Sequence, residues 1–266
     1  MHGQREVFRK LHEQGCFVMP NPWDTGTTRF LTSAGFAALA TTSAGLAFSL
    51  AKPDSPAALD RDVVLAHIQS IVDATTLPVN ADFQSGYGAT PAGVADSVRR
   101  CVATGVAGLS IEDATGDPDD PLYDIPTAVA RLAAARDAIG DSGVVLTGRA
   151  EGFIAGRPDI DDVMARLQAF SAAGADCLYA PGLRGSGEVA AVVAAVHPKP
   201  VNVLATPSMT VSGLAALGAR RISVGSGLAR VAWGAFMAAA RELADAGTFT
   251  GLGGAAPFAE LNGLFE

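Results

Sequence analysis

Short apolar, β-branched runs alternate along the chain with longer Ala-rich stretches whose apolar positions recur at helical spacing, and this alternation predicts βα units wound around a parallel sheet. Eight strands are predicted, at 17–20, 38–42, 78–83, 108–112, 144–149, 177–180, 201–204 and 221–224. Between them, 91–104, 125–139, 160–173 and 211–217 have amphipathic helical spacing. Each is closed within a residue or two by Gly105, Gly140, Gly174 or Gly218, where a left-handed C-cap needs glycine. Three closures are near copies (Ala103-Thr-Gly-Val-Ala-Gly, Ala173-Gly-Ala-Asp-Cys, Leu217-Gly-Ala-Arg-Arg-Ile), which favours one repeated unit over two unlike domains. A helix at 228–246, a Gly-rich turn at 247–256 and a last apolar piece at 258–265 follow the eighth strand.

The expected fold class is therefore α/β, a (β/α)8 TIM barrel forming a single domain over residues 1–266 with a C-terminal helical extension. A doubly wound sheet would want a glycine-rich dinucleotide loop after its first strand, and Met19-Pro-Asn-Pro-Trp-Asp is not one. The length of 266 residues suits one barrel.

Composition removes several functions. The net charge of −8 comes with no Lys/Arg cluster, so no nucleic-acid partner is expected. Apolar runs are broken well before the roughly 18 residues of a membrane span. The first ten residues carry Arg5, Glu6, Arg9 and Lys10 and lack a secretory h-region, so a cytoplasmic location is expected. Cys16, Cys101 and Cys177 are too few and too scattered for a disulfide framework or a zinc spacing, and are expected to be reduced core residues.

In a (β/α)8 barrel the reactive groups stand at the carboxy-terminal ends of the strands. There the chain places Asp82-Phe-Gln-Ser-Gly-Tyr-Gly after strand 3, Glu112-Asp113 after strand 4, Arg149-Ala-Glu151 after strand 5 and Asp54 in the loop after strand 2. Strand alternation puts Asp82 and Gln84 on one side and Phe83 on the other. Hard oxygen donors without a His or Cys cluster suit Mg2+, or Mn2+, better than zinc. Asp82 and Glu112 could instead pair with Arg149 as a buried ion network. Several acids against one inward arginine leave excess negative charge in a low-dielectric site, and that balance favours a cation.

The Gly86-Tyr87-Gly88 turn could approach a ligand or be a plain βα turn, and Thr42-Ser-Ala-Gly-Leu46 offers hydroxyl and N–H donors for a carboxylate or is an ordinary loop. Lys10, Lys52 and Lys199 are all misplaced for a Schiff base. His2, His12, His67 and His197 fall on helices or before strands, which predicts solvated or helix-surface roles. Ser226 in Gly225-Ser-Gly227 could hold phosphate or allow close packing of the last helix.

Taken in order, Asn21-Pro-Trp-Asp24, Thr42-Ser-Ala-Gly-Leu46, Asp82-Phe-Gln-Ser-Gly-Tyr-Gly88, Ile111-Glu-Asp113 and Gly148-Arg-Ala-Glu-Gly-Phe153 resemble the isocitrate lyase/phosphoenolpyruvate mutase superfamily, as do Val201-Asn-Val-Leu-Ala205 and Ser223-Val-Gly-Ser-Gly-Leu-Ala-Arg230. The resemblance implies an α/β barrel whose eighth helix is exchanged between subunits of a homodimer or homotetramer. It implies Mg2+ held by Asp82, with Gln84 and Glu112 in direct or water-mediated contact, and Asp54 in a mobile loop. Arg149 would hold the substrate beside the metal. Ser43, Ala44, Gly45 and Leu46 would bind the carboxylate of a 2-oxo acid, with Trp23 among the substrate contacts. Arg149, Asp54 and Glu112 would be the catalytic set.

The implied reaction breaks a C–C or P–C bond next to the methylene of a substituted pyruvate through its enolate, with a non-catalytic 2-oxo-acid or oxalate binder as the alternative. Two departures shape this. Gln84 stands where many members have Asp or Glu, lowering the negative charge by one. The loop at 114–123 lacks both the Lys-Lys-Cys-Gly-His motif that supplies the general acid of isocitrate and methylisocitrate lyases and the Lys and Asn-Ser elements of the mutase, which disfavours those activities.

Overall fold

The computed structural model describes residues 2–55 and 58–266; Met1 and residues 56–57, which the expected domain includes, lie outside the described residues. Eight strands form one wholly parallel sheet: β1 (Phe17–Met19), β2 (Leu39–Ala40), β3 (Val79–Asp82), β4 (Gly108–Glu112), β5 (Val145–Arg149), β6 (Cys177–Tyr179), β7 (Val201–Leu204) and β8 (Arg221–Ser223). From β2 to β8 each strand pairs with its sequence neighbour, and β8 returns to β1. At the remaining seam the Ala40 N–H donates to the Pro20 carbonyl at 3.0 Å, so the sheet is all but closed into a (β/α)8 barrel.

The helices are α1 (His2–Leu11), α2 (Thr25–Ser33), α3 (Ser43–Ser49), α4 (Arg61–Asp73), α5 (Pro91–Ala103), α6 (Ile125–Ile139), α7 (Ile160–Ala172), α8 (Ser186–Val196), α9 (Val211–Ala216), α10 (Gly227–Asp245) and α11 (Phe258–Phe265). Their starts follow local chemistry. Thr42, Thr90, Asp124, Asp159 and Thr210 each cap a helix through a side-chain oxygen that accepts a first-turn N–H, and α5 and α6 carry proline in the first turn. Gly105, Gly174 and Gly218 adopt positive φ just after their helices, as the sequence predicts.

All eight predicted strands are present, most of them shorter by a residue or two. The sheet and its helical ring bury Leu109, Leu146, Leu178, Phe83 and Ile68 between them. Below the sheet α1 closes the floor, where Arg5 donates to the carbonyls of Val102, Val106 and Ser142. The floor also corrects the expectation for the histidines. His12 sits edge-on to Phe8 and Phe17, its Nδ1 bonded to the Phe8 carbonyl and its Nε2 facing the buried Arg221 guanidinium, and burial followed by that charge lowers its pKa to about 3. Cys101 and Cys177 are buried and Cys16 half-buried, all as free thiols. No described helix is long and apolar enough to cross a membrane.

α10 behaves unlike the other barrel helices. Of its nineteen residues only Ala229 is buried, while Val231, Trp233, Phe236 and Met237 face outward.

Candidate active site

Register places the chemistry. Glu112 of β4 pairs with Arg149 of β5, which pairs with Tyr179 of β6, so three neighbouring strands deliver their side chains at one level of the carboxy-terminal rim. Arg149 is the centre of the cluster. Its Nη1 lies 3.2 Å from Asp82 Oδ1 and 3.1 Å from Glu112 Oε2, and its Nε and Nη2 grip the two oxygens of Glu151. The face of the guanidinium stands 5.3 Å from the Tyr179 ring centroid. Asp82 Oδ2 accepts the Ser43 N–H at 2.9 Å, and the Asp82 N–H donates to Thr41 Oγ1.

The charges do not balance. Three buried or nearly buried carboxylates face one guanidinium, and Asp54 approaches from the rim. Burial raises the Glu112 pKa well above the carboxylate range; Arg149 opposes the shift, and Glu151, Asp82 and Asp54 add to it. Glu151 is raised for the same first reason. Burial works against the Arg149 charge, but Glu151, Glu112 and Asp82 together hold it firmly cationic. Asp54, exposed at the rim, has its pKa raised by desolvation and then by the Asp82 charge.

The predicted residues are thus partly assembled. Asp82, Glu112, Arg149 and Ser43 meet directly, and Asp54 feels their field. The ion network weighed from the sequence is present, and among the described residues no three His, Cys, Asp or Glu side chains stand as a ready-made metal cage. The donor set still fits a hard divalent cation: the donors are oxygens, and three carboxyl groups face the one guanidinium of Arg149.

Gln84 departs from the alternation. β3 ends at Asp82 and Gln84 adopts φ 43°, so the period of two does not reach it; its carbonyl accepts the Glu112 N–H at 3.0 Å and the residue is buried. Ser43 to Leu46 form the first turn of α3, in which the Thr42 hydroxyl accepts the Gly45 N–H. A Cβ on Gly45 would sit 2.8 Å from Trp23 Cβ and 2.6 Å from Thr42 Cγ2, so this glycine is required by packing. Trp23 lines an apolar hollow of about 290 Å³ with Ser49, Ala229, Trp233 and Phe236.

The Gly86-Tyr87-Gly88 turn is built for packing. A Cβ on Gly88 would lie 2.3 Å from the backbone of Gly93 and Val94, and Arg131 Nη2 ties the Ser85 and Gly88 carbonyls together. At Gly225 the Asn21 side chain already accepts the Val224 and Gly225 N–H groups, which withdraws the donors a phosphate would use. The sequence assigns no individual role to Asn21, Tyr179 or Arg166, and marks Asp113 only as a strand-end carboxylate beside Glu112. Only Asn21 and Asp113 lay in recognised motifs, and nothing in the sequence marks Tyr179 or Arg166.

The loop after β4 folds onto itself. Ala114 and Leu122 form an antiparallel bridge, the Thr115 N–H donates to the Pro121 carbonyl, and Thr115 Oγ1 donates to the Asp120 carbonyl. This hairpin carries Asp117, Asp119 and Asp120 and no lysine, cysteine or histidine.

The sequence profile of phosphoenolpyruvate phosphomutase matches residues 8–244. The chain belongs to that family. A crystal structure of a proposed lyase/mutase from Burkholderia cenocepacia J2315 is 48% identical, covers 99% of this chain and 96% of its own, and superposes with a TM-score of 0.94. Oxaloacetate decarboxylase of Bradyrhizobium sp. strain BTAi1 is 30% identical over 234 residues, 83% of this chain and 77% of that protein. Phosphonopyruvate hydrolase, solved with oxalate and Mg2+, is 25% identical with a TM-score of 0.85, covering 98% of this chain and 95% of its own.

Proposed function

We propose that the chain is a Mg2+-dependent lyase of a small substituted pyruvate, and that within that class it decarboxylates a four-carbon 2-oxo acid of the oxaloacetate type. The observation that carries the reading is the buried group of Asp82, Glu112 and Glu151 around the single guanidinium of Arg149. The oxaloacetate decarboxylase relative and the hydrolase solved with oxalate and Mg2+ support it.

Asp82, with Glu112 and Gln84, would hold the cation. Bound there, Mg2+, or Mn2+ in its place, would supply positive charge against the 2-oxo oxygen that turns negative as the bond breaks. Arg149 would meet the same substrate end, its angle fixed by Glu151 at one edge and by Tyr179 on its face. The first turn of α3 would receive the carboxylate once Ser43 releases Asp82. In decarboxylation the C3–C4 bond breaks, its electron pair moves to the 2-oxo oxygen, CO2 departs without needing a proton, and solvent returns a proton to C3. That leaving group suits a hairpin after β4 that offers no lysine, cysteine or histidine as acid.

Pyruvate release from oxaloacetate, phosphonopyruvate and 2-methylmalate-type acids, measured above the Mg2+-only background, tests the reading. Turnover of oxaloacetate falling to background in Asp82→Ala is expected; unchanged turnover in that variant refutes it. A second reading, an oxalate or 2-oxo-acid binder without turnover, draws on Gln84 and the same hairpin, and thermal stabilisation by oxalate with no product from any acid would favour it.

We also infer a homodimer or homotetramer built on α10, because this helix exposes Val231, Trp233, Phe236 and Met237 together, and clustered exposed apolar side chains mark association surfaces. Sedimentation of wild type as an oligomer, and of Val231→Asp/Phe236→Asp as a monomer, is the expected outcome.

A further inference from the structure

The cluster around Arg149 is tied to a second buried ion pair, between Asp113 and Arg166. The side chain of Asp113, one position beyond β4, is wholly buried, and each of its polar groups is bonded to something different. Its Oδ1 accepts the Glu151 N–H at 2.8 Å, and its Oδ2 pairs with Arg166 Nη1 at 3.0 Å. On the backbone, the Asp113 N–H donates to the Arg149 carbonyl at 3.2 Å and its carbonyl accepts the Tyr123 N–H at 2.9 Å. Arg166, on the inner face of α7 and 10% exposed, anchors this hub by reaching the Tyr123 carbonyl at 2.7 Å and Asp162 at 2.7 Å. One buried ion pair therefore fixes both residues flanking Ala150 and the closing end of the hairpin after β4.

Packing alone does not call for this arrangement. An apolar pair of the same volume could fill the space, since a buried ion pair gains little net stability over such a replacement. What an apolar pair could not do is accept the Glu151 N–H. Glu151 grips the Nε/Nη2 edge of Arg149, so a small rotation of residue 151 would swing the guanidinium off Asp82 and Glu112. Displacements of about 1 Å at such a group cost on the order of a hundredfold in rate.

We propose that Asp113 and Arg166 are positioning residues that set the angle of Arg149 through Glu151. The proposal rests on the reading of Arg149 as the group that meets the 2-oxo acid, and its test includes a readout that needs no ligand. In Arg166→Met, the Arg149 Nε–H resonance in an 15N-correlated spectrum is expected to shift and broaden and the Glu151 amide to exchange at least tenfold faster. Oxalate with Mg2+ should bind at least tenfold more weakly, and Arg166→Lys should recover to within about threefold of wild type. The variant Asp113→Leu/Arg166→Met leaves no buried charge unpaired and no acceptor for the Glu151 N–H, and should show the same spectral change if Arg166→Met alone does not fold. An unmoved Arg149 resonance and a wild-type Glu151 exchange rate in a folded variant overturn the proposal, as does undiminished oxalate affinity. Failure of wild type to bind oxalate with Mg2+ would sink the proposed function instead, and the Arg149 resonance would still decide the positioning role.

Discussion

Replacing Arg149 by methionine isolates the charge balance on which the site depends. The side chain contacts Asp82, Glu112 and Glu151 at once, all three mostly shielded from water, so its removal leaves buried carboxylates without a counter-charge. Losing one partner of a buried ion pair costs about 3–5 kcal/mol. At about 2–4 °C per kcal/mol for a domain of this size, the melting temperature should fall by roughly 6–20 °C in metal-free buffer. Mg2+ at a hundredfold excess over its dissociation constant contributes about 2.7 kcal/mol to any fold that binds it. In wild type the ion must compete with Arg149 for Asp82 and Glu112; in the variant those oxygens are free. Melting curves with and without Mg2+ should therefore show a larger gain for Arg149→Met than for wild type. An Arg149→Met protein as stable as wild type, or two melting curves equally indifferent to Mg2+, would refute the charge argument.

Two further outcomes follow from other parts of the barrel. His12 is held neutral, its pKa lowered to about 3 in the fold against 6.5 unfolded, so its contribution is complete above pH 6.5 and is lost as pH falls toward 3. Wild type should lose about 2 kcal/mol more than His12→Gln between pH 7.5 and pH 5 in urea titrations, and a constant gap would contradict this. Gly88→Ala would drive a Cβ into the Gly93–Val94 backbone and should cost roughly 3 kcal/mol, whereas Gly3→Ala, with nothing within 4 Å, should be neutral or slightly stabilising by the same denaturation assay.

The architecture and most of the site's composition are legible in the order of the amino acids. Alternating apolar runs and glycine-closed helices are local signals, because propensity and capping act over a few residues, and they located all eight strands and the carboxylates at their ends. The motifs around Asp82, Glu112 and Arg149 named three residues that do converge, since strand-end positions in a barrel share one rim. The tertiary structure decided what each group does there. That Gln84 leaves the alternation depends on a left-handed turn, that Trp23 looks toward α10 depends on how α3 packs, and that Glu151 grips Arg149 depends on Asp113 and Arg166, fifty-three residues apart. Such long-range ion pairs are invisible in a single chain of letters: charge and hydrogen bonding are set by distance and burial, and neither exists until the barrel closes.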